Sequence, residues 1–127
     1  LSGSVEIQNF MSNNIGNNFP FWAMIILLPL IVWIFGLIGI HPIITSAPIL
    51  SLFGPLLSLW EAAFLMQAHL IGWCAGTATS FTSLSVLTTA ENFRLHISKL
   101  VLGPNLFATG CLTFIGAILL ITLNYLF

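Results

Sequence analysis

Two polar clusters interrupt the long apolar stretches that follow residue 20. The first is Gly39-Ile40-His41-Pro42-Ile43-Ile44-Thr45-Ser46-Ala47-Pro48, followed shortly by Gly54-Pro55. The second is Thr77-Ala78-Thr79-Ser80-Phe81-Thr82-Ser83-Leu84-Ser85. Their residue types suit coordination rather than bond-making. Proline removes a backbone donor and disfavours helix at the residue before it, so His41-Pro42 frees carbonyls around Ile38 and Gly39. Thr45 and Ser46 then bring hydroxyls and the first amides of a new helix. Carbonyls and hydroxyls suit Na⁺, and amides at a helix N-terminus suit a carboxylate. In the competing reading the first cluster is a kinked helix pair, with Thr45 and Ser46 bonded back to their own backbone. In the second cluster Thr77, Thr79, Ser80, Thr82, Ser83 and Ser85 fall on every face of a helix. An unwound stretch lining an aqueous site explains that spread better than interhelical bonding does.

Catalysis is not expected. No nucleophile lies beside a base, no glycine spacing fits a phosphate loop, and no carboxylates are paired. A membrane enzyme would have to use His41, His69 or Glu61, which show no metal-ligand spacing and no acid–base pairing. Cys74 and Cys111 lie apart from the three histidines, so they read as buried free thiols rather than zinc ligands. His69, an ionisable group inside an apolar segment, is either a proton relay, a substrate contact, or a neutral ring bonded to a neighbouring helix. Glu61, beside Trp60, and His96 read as solvated.

The surrounding elements are greasy. The chain is 58% hydrophobic and 4% charged, with a mean hydropathy of +1.10. Soluble domains carry about 25% charged residues. The only charged side chains are Glu6, Glu61, Glu91, Arg94 and Lys99, and the formal net charge of −1 leaves no basic patch for nucleic acid. The expected class is an all-α membrane protein whose partner is the lipid bilayer.

Residues 1–19 read as a polar interfacial segment, with Val5, Ile7, Phe10, Met11 and Ile15 forming an apolar stripe. Residues 20–59 read as a helical hairpin. Its long arm, 21–40, is long enough to span at about 1.5 Å per residue, its tip lies at 39–48, and its returning arm is short. Residues 60–90 read as one discontinuous transmembrane helix, broken at 77–85 about halfway along. Residues 91–100 form a loop, and 101–127 a C-terminal transmembrane helix with Pro104 in its first turn. Arg94 and Lys99, the only basic residues, make that loop cytoplasmic and put the C-terminus, Trp60 and the N-terminal segment outside. The amino-terminal stretch has no basic n-region, so no cleavable signal is expected. The chain begins at Leu1 and is read as the C-terminal part of a longer one.

This layout resembles the C-terminal repeat of the divalent-anion/sodium symporters and their relatives in the ion transporter superfamily. In that family a hairpin tip carrying Ser-Asn-Thr is followed some 35–40 residues later by a Thr-Pro-Pro-Asn-type break. Here Gly39-Ile40-His41-Pro42-Ile43-Ile44-Thr45 and Thr77-Ala78-Thr79-Ser80-Phe81-Thr82-Ser83 hold the two places, although neither Ser-Asn-Thr nor Pro-Pro-Asn is present. Gly-Ile-His-Pro also resembles bacterial members, which implies a bacterial inner membrane. The resemblance implies cation-coupled transport, by Na⁺ or H⁺, of a small organic anion. It puts the substrate and ion site at His41, Thr45, Ser46, Thr77, Thr79, Ser80, Thr82 and Ser83, with Ile43, Thr45 and Thr79 as the candidate Na⁺ ligands. It further implies an N-terminal repeat supplying the other half-site, a homodimer, and no other cofactor. The alternative is a structural small hydrophobic subunit of a larger membrane complex, for which two unwound stretches have no use.

Overall fold

The computed structural model describes residues 5, 6, 9, 10 and 20–126; those at 5, 6, 9 and 10 are helical. The rest of the expected interfacial segment, 1–19, lies outside the described residues. The described chain is all helix and turn, with no strand.

Helix α1, Phe21–Leu37, opens after extended Pro20 and is apolar on every side, including where Trp22, Leu27, Ile34 and Phe35 are exposed. It stops three residues before the apolar run does. Gly39 N–H donates to the Gly36 carbonyl at 2.9 Å and Ile40 N–H to the Phe35 carbonyl at 3.0 Å. This pair of bonds closes a Schellman motif, and Gly39 holds its left-handed position at φ +89°. With 17 residues, or about 25 Å, α1 falls short of the ~30 Å expected of a spanning arm.

Helix α2, Pro42–Phe53, begins with proline at its first position and His41 as its N-cap. The turn between the arms is therefore 38–41. The tip expected at 39–48 is shorter, because Pro42 is a good helix starter and residues 42–48 are already helical. A 3₁₀ turn, Gly54–Leu56, leads to α3, Leu59–Thr79. A capping box starts α3: Ser58 N–H donates to the Glu61 carboxylate at 2.9 Å, and Glu61 N–H donates to Ser58 Oγ at 3.3 Å.

The second break is also narrower than expected. Helix α3 continues through Thr77 and Thr79, and α4, Leu84–Asn92, resumes after four residues. The 21 residues of α3 measure about 31 Å. The interruption thus comes at the end of a span-length helix, not halfway along one. Helix α4 closes with another Schellman motif. Arg94 N–H donates to Glu91 and Leu95 N–H to Ala90, with Arg94 itself at φ 53°. The connection expected at 91–100 is in fact only 93–96, and α5, Ile97–Leu100, follows. The final helix does not begin at 101. Its apolar run starts at Ile97, widens into a π turn at Val101–Asn105 where Gly103-Pro104 interrupts the ladder, and continues as α6, Leu106–Leu126. Pro104 marks that interruption and not a first turn.

Glycine contacts fix the packing directions. A Cβ on Gly72 would lie 2.6 Å from Pro29 Cα, and one on Gly36 would lie 2.7 Å from Gly76 Cα. Helices α1 and α3 therefore run parallel, nearly backbone to backbone, and end at the same level. Helix α2 folds back along α1: Ile49, Leu50 and Phe53 pack on Met24, Leu28, Val32 and Leu65. Helix α6 runs antiparallel to α3, since Gly110 meets Trp33, Gly116 meets Ile71, and Leu120 joins Ile25, Phe64 and Ala68. Among the described residues, Leu59–Asn92 and Ile97–Leu126 are long and apolar enough to cross a membrane.

Candidate functional site

Because α1 and α3 stop at one level, their breaks meet. A cavity of about 260 Å³ lies between them. Gly36, Gly39, Ile40, His41 and Pro42 line one side. Gly76, Thr77, Ser80, Thr82, Ser83 and Leu84 line the other. The two clusters singled out in the sequence, some 40 positions apart, thus share one wall-to-wall space. A Cβ built on Gly39 would sit 3.1 Å from Thr82 Oγ1, so the glycine lets the two turns touch.

Five of the candidate site residues reach this cavity: His41, Thr77, Ser80, Thr82 and Ser83. Ser80 Oγ and Thr82 Oγ1 are bonded at 3.0 Å, and Thr82 N–H donates to Ser80 Oγ at 3.3 Å. Ser83 Oγ pairs with Ser85 Oγ at 2.8 Å. His41 Nδ1 accepts the Ile43 N–H at 3.3 Å. That bond occupies Nδ1 and leaves Nε2 as the ring nitrogen open to a solute or water. The ring meets Trp73 edge-on at 5.5 Å. Among the described residues, the carbonyls of Ile38 and Gly39 accept no hydrogen bond, and so remain available as the Pro42 argument requires.

The other candidates do not line the cavity. Thr45 Oγ1 and Ser46 Oγ both donate to the Pro42 carbonyl at 2.8 Å, and Ser46 is buried. Thr79, fully buried, donates to the Ala75 carbonyl at 2.8 Å. These are the back-bonded hydroxyls of the competing reading, held by a helix turn that satisfies them locally. Ile43, Thr45 and Thr79 are all absent from the cavity wall, so the expected Na⁺ ligand trio is not assembled there. Thr77 lines the cavity although its hydroxyl also bonds back, to Trp73 at 3.0 Å. Among the described residues no group of His, Cys, Asp and Glu could hold a metal ion.

Three features escaped the reading of the sequence. Gly72 and Gly76 form a small-xxx-small pair that lets α1 approach α3; the spacing was visible. Trp73 stands between His41 and His69, at 5.5 and 5.3 Å. His69 is buried, and its Nδ1 has no partner among the described residues. Asn105 Nδ2 donates to the Ala78 carbonyl at 2.9 Å, one of the last four carbonyls of α3, which have no partner further along the helix. The polar Asn105 after Gly103-Pro104 was a signal, but its partner lies 27 positions away. Asn105→Ala is expected to lower stability by about 1–2 kcal/mol, since it strands a partly buried carbonyl. Thermal unfolding in detergent measures this.

Comparison with protein-family models, curated proteins and solved structures finds nothing that matches this chain.

Proposed function

We propose that the chain is a bilayer-embedded segment of a secondary transporter and that the cavity between its two helix breaks is part of the binding site for a small organic anion moved with a coupling cation, Na⁺ or H⁺. The observation that carries this reading is the meeting of the two breaks in one hydroxyl-lined space. Irregular backbone inside a membrane survives where it lines a cavity, and transporters put their ligands there. The N-terminus of α4 begins at the cavity wall without a side-chain cap, and its amides favour a carboxylate. At α2, Pro42 has no N–H and the Ile43 N–H is taken by His41. His41 Nε2 adds an open ring nitrogen. The site is half a site in this reading, completed by another repeat of the same protein in a homodimer in the bacterial inner membrane. The 93–96 turn is cytoplasmic and the C-terminus outside.

A structural-subunit role is favoured by the back-bonded Thr45, Ser46 and Thr79, which reduce the ligand set. The two readings separate in uptake measurements on the full-length protein in proteoliposomes, with labelled dicarboxylates and imposed Na⁺ or proton gradients. Ser80→Ala/Thr82→Val is expected to cut gradient-driven uptake at least ten-fold with normal membrane insertion, while Thr45→Ala stays within two-fold of the parent. Equal uptake in the parent and the double variant would remove the cavity from the binding site, and no uptake in either would sink the transport reading.

A further inference from the structure

We propose that an anionic phospholipid binds along the outer face of the last helix, its headgroup held by Lys99 and Arg94 and an acyl chain seated in the groove that the Gly103-Pro104 interruption opens. The inference rests on the bilayer reading above.

The groove is about 580 Å³ and almost wholly apolar. It runs from Leu102 to Ile115, roughly 20 Å at helical rise, more than the ~15 Å depth of one leaflet. Gly103, Gly110 and Cys111 make its floor shallow, and Phe114 forms part of its wall. A Cβ on Gly103 would meet nothing within 4 Å, so the kinked turn leaves open space and is not packed shut.

The basic residues lie just ahead of this groove in the chain. Lys99 is exposed and precedes Leu102, the first residue of the groove wall, by three positions. Arg94, also exposed, is in the turn just before it. These two are all the Lys and Arg of the chain, and no carboxylate of the described residues pairs with either. Unpaired cations at the end of a membrane-length apolar helix match an anionic headgroup above an acyl chain. Such a residue near the membrane surface contributes about five-fold in affinity. A zwitterionic headgroup gains little from them.

Native mass spectrometry of the purified protein, exposed to phosphatidylglycerol or phosphatidylcholine vesicles, tests this, with alkaline extraction as a separate assay of insertion. Phosphatidylglycerol is expected to be retained in preference, about five-fold less by Lys99→Gln and less again by Arg94→Gln/Lys99→Gln. Cys111→Trp, which fills the groove, is expected to reduce retention of both lipids. Inorganic phosphate is expected not to displace the lipid. Equal retention of the two lipids, indifference to Lys99→Gln, or displacement by phosphate would each overturn the proposal. So would a Cys111–Cys111 disulfide between copies, which would make the groove a dimer face. Failure of insertion overturns the bilayer reading as well, whereas normal insertion with no lipid preference overturns only this inference.

Discussion

Gly72→Ala is expected to loosen the whole assembly. The new methyl would lie 2.6 Å from Pro29 Cα and 2.7 Å from its carbonyl oxygen. Both are backbone atoms in the middle of α1, so no side-chain rotation relieves the clash and the parallel helices must move apart. That separation also disturbs the contact one turn further on, where Gly36 meets Gly76, and with it the level at which α1 and α3 end. Overpacking of this kind costs about 1–3 kcal/mol, and backbone contact puts it at the upper end. Gly116→Ala is the comparison. Its methyl would meet Ile71 Cδ1 at 2.8 Å, the tip of a flexible side chain, so the expected loss is below about 1 kcal/mol. Thermal unfolding of both variants in the same detergent decides the matter, and equal losses would mean that α1 and α3 are not in backbone contact at Gly72.

Gly39→Ala is expected to damage the cavity more than the fold. An L-residue in the left-handed region is strained by roughly 1–2 kcal/mol, and Gly39 sits at φ +89°. Its Cβ would also press on Thr82, 3.1 Å from Oγ1 and 3.2 Å from Cγ2. The Thr82 side chain has little room to yield without giving up its bond to Ser80. The expected result is a stability loss of about 2 kcal/mol together with loss of solute binding. Trimming the neighbour separates the two causes. With Thr82→Ala the contact portion should be recovered and the backbone strain should persist, a coupling that a double-mutant cycle reads directly. Strictly additive losses would mean that the two turns do not touch.

The sequence carried the positions of both interruptions, because Gly39, His41-Pro42 and the Ser80–Ser83 hydroxyl run are local signals with local mechanisms. It carried the hairpin, the all-helical class and five of the cavity residues for the same reason. What it hid was where each hydroxyl points. Thr45, Ser46 and Thr79 look like ligands when hydroxyls are counted, yet each has a carbonyl of its own helix within reach, and a helical turn satisfies them at no distance. The length of α1 was hidden by its uniform greasiness: only the Schellman bonds from Gly39 and Ile40 show that the helix stops at Leu37. The bond from Asn105 to Ala78 depends on how α6 returns along α3, a tertiary outcome that no local pattern states.

The meeting of the two breaks is tested most directly by an engineered crosslink. A Cβ on Gly39 would stand 3.8 Å from Thr82 Cβ, within the ~3.5–4.5 Å range of disulfides. Gly39→Cys and Thr82→Cys would be combined in a background where the free Cys74 and Cys111 are replaced by serine, and the protein oxidised in membranes. The expected result is an intramolecular disulfide, seen by mass spectrometry as a linked peptide pair with both thiols lost. Two thiols that stay free under conditions where each single-cysteine variant is readily labelled would contradict it, and the shared cavity with it.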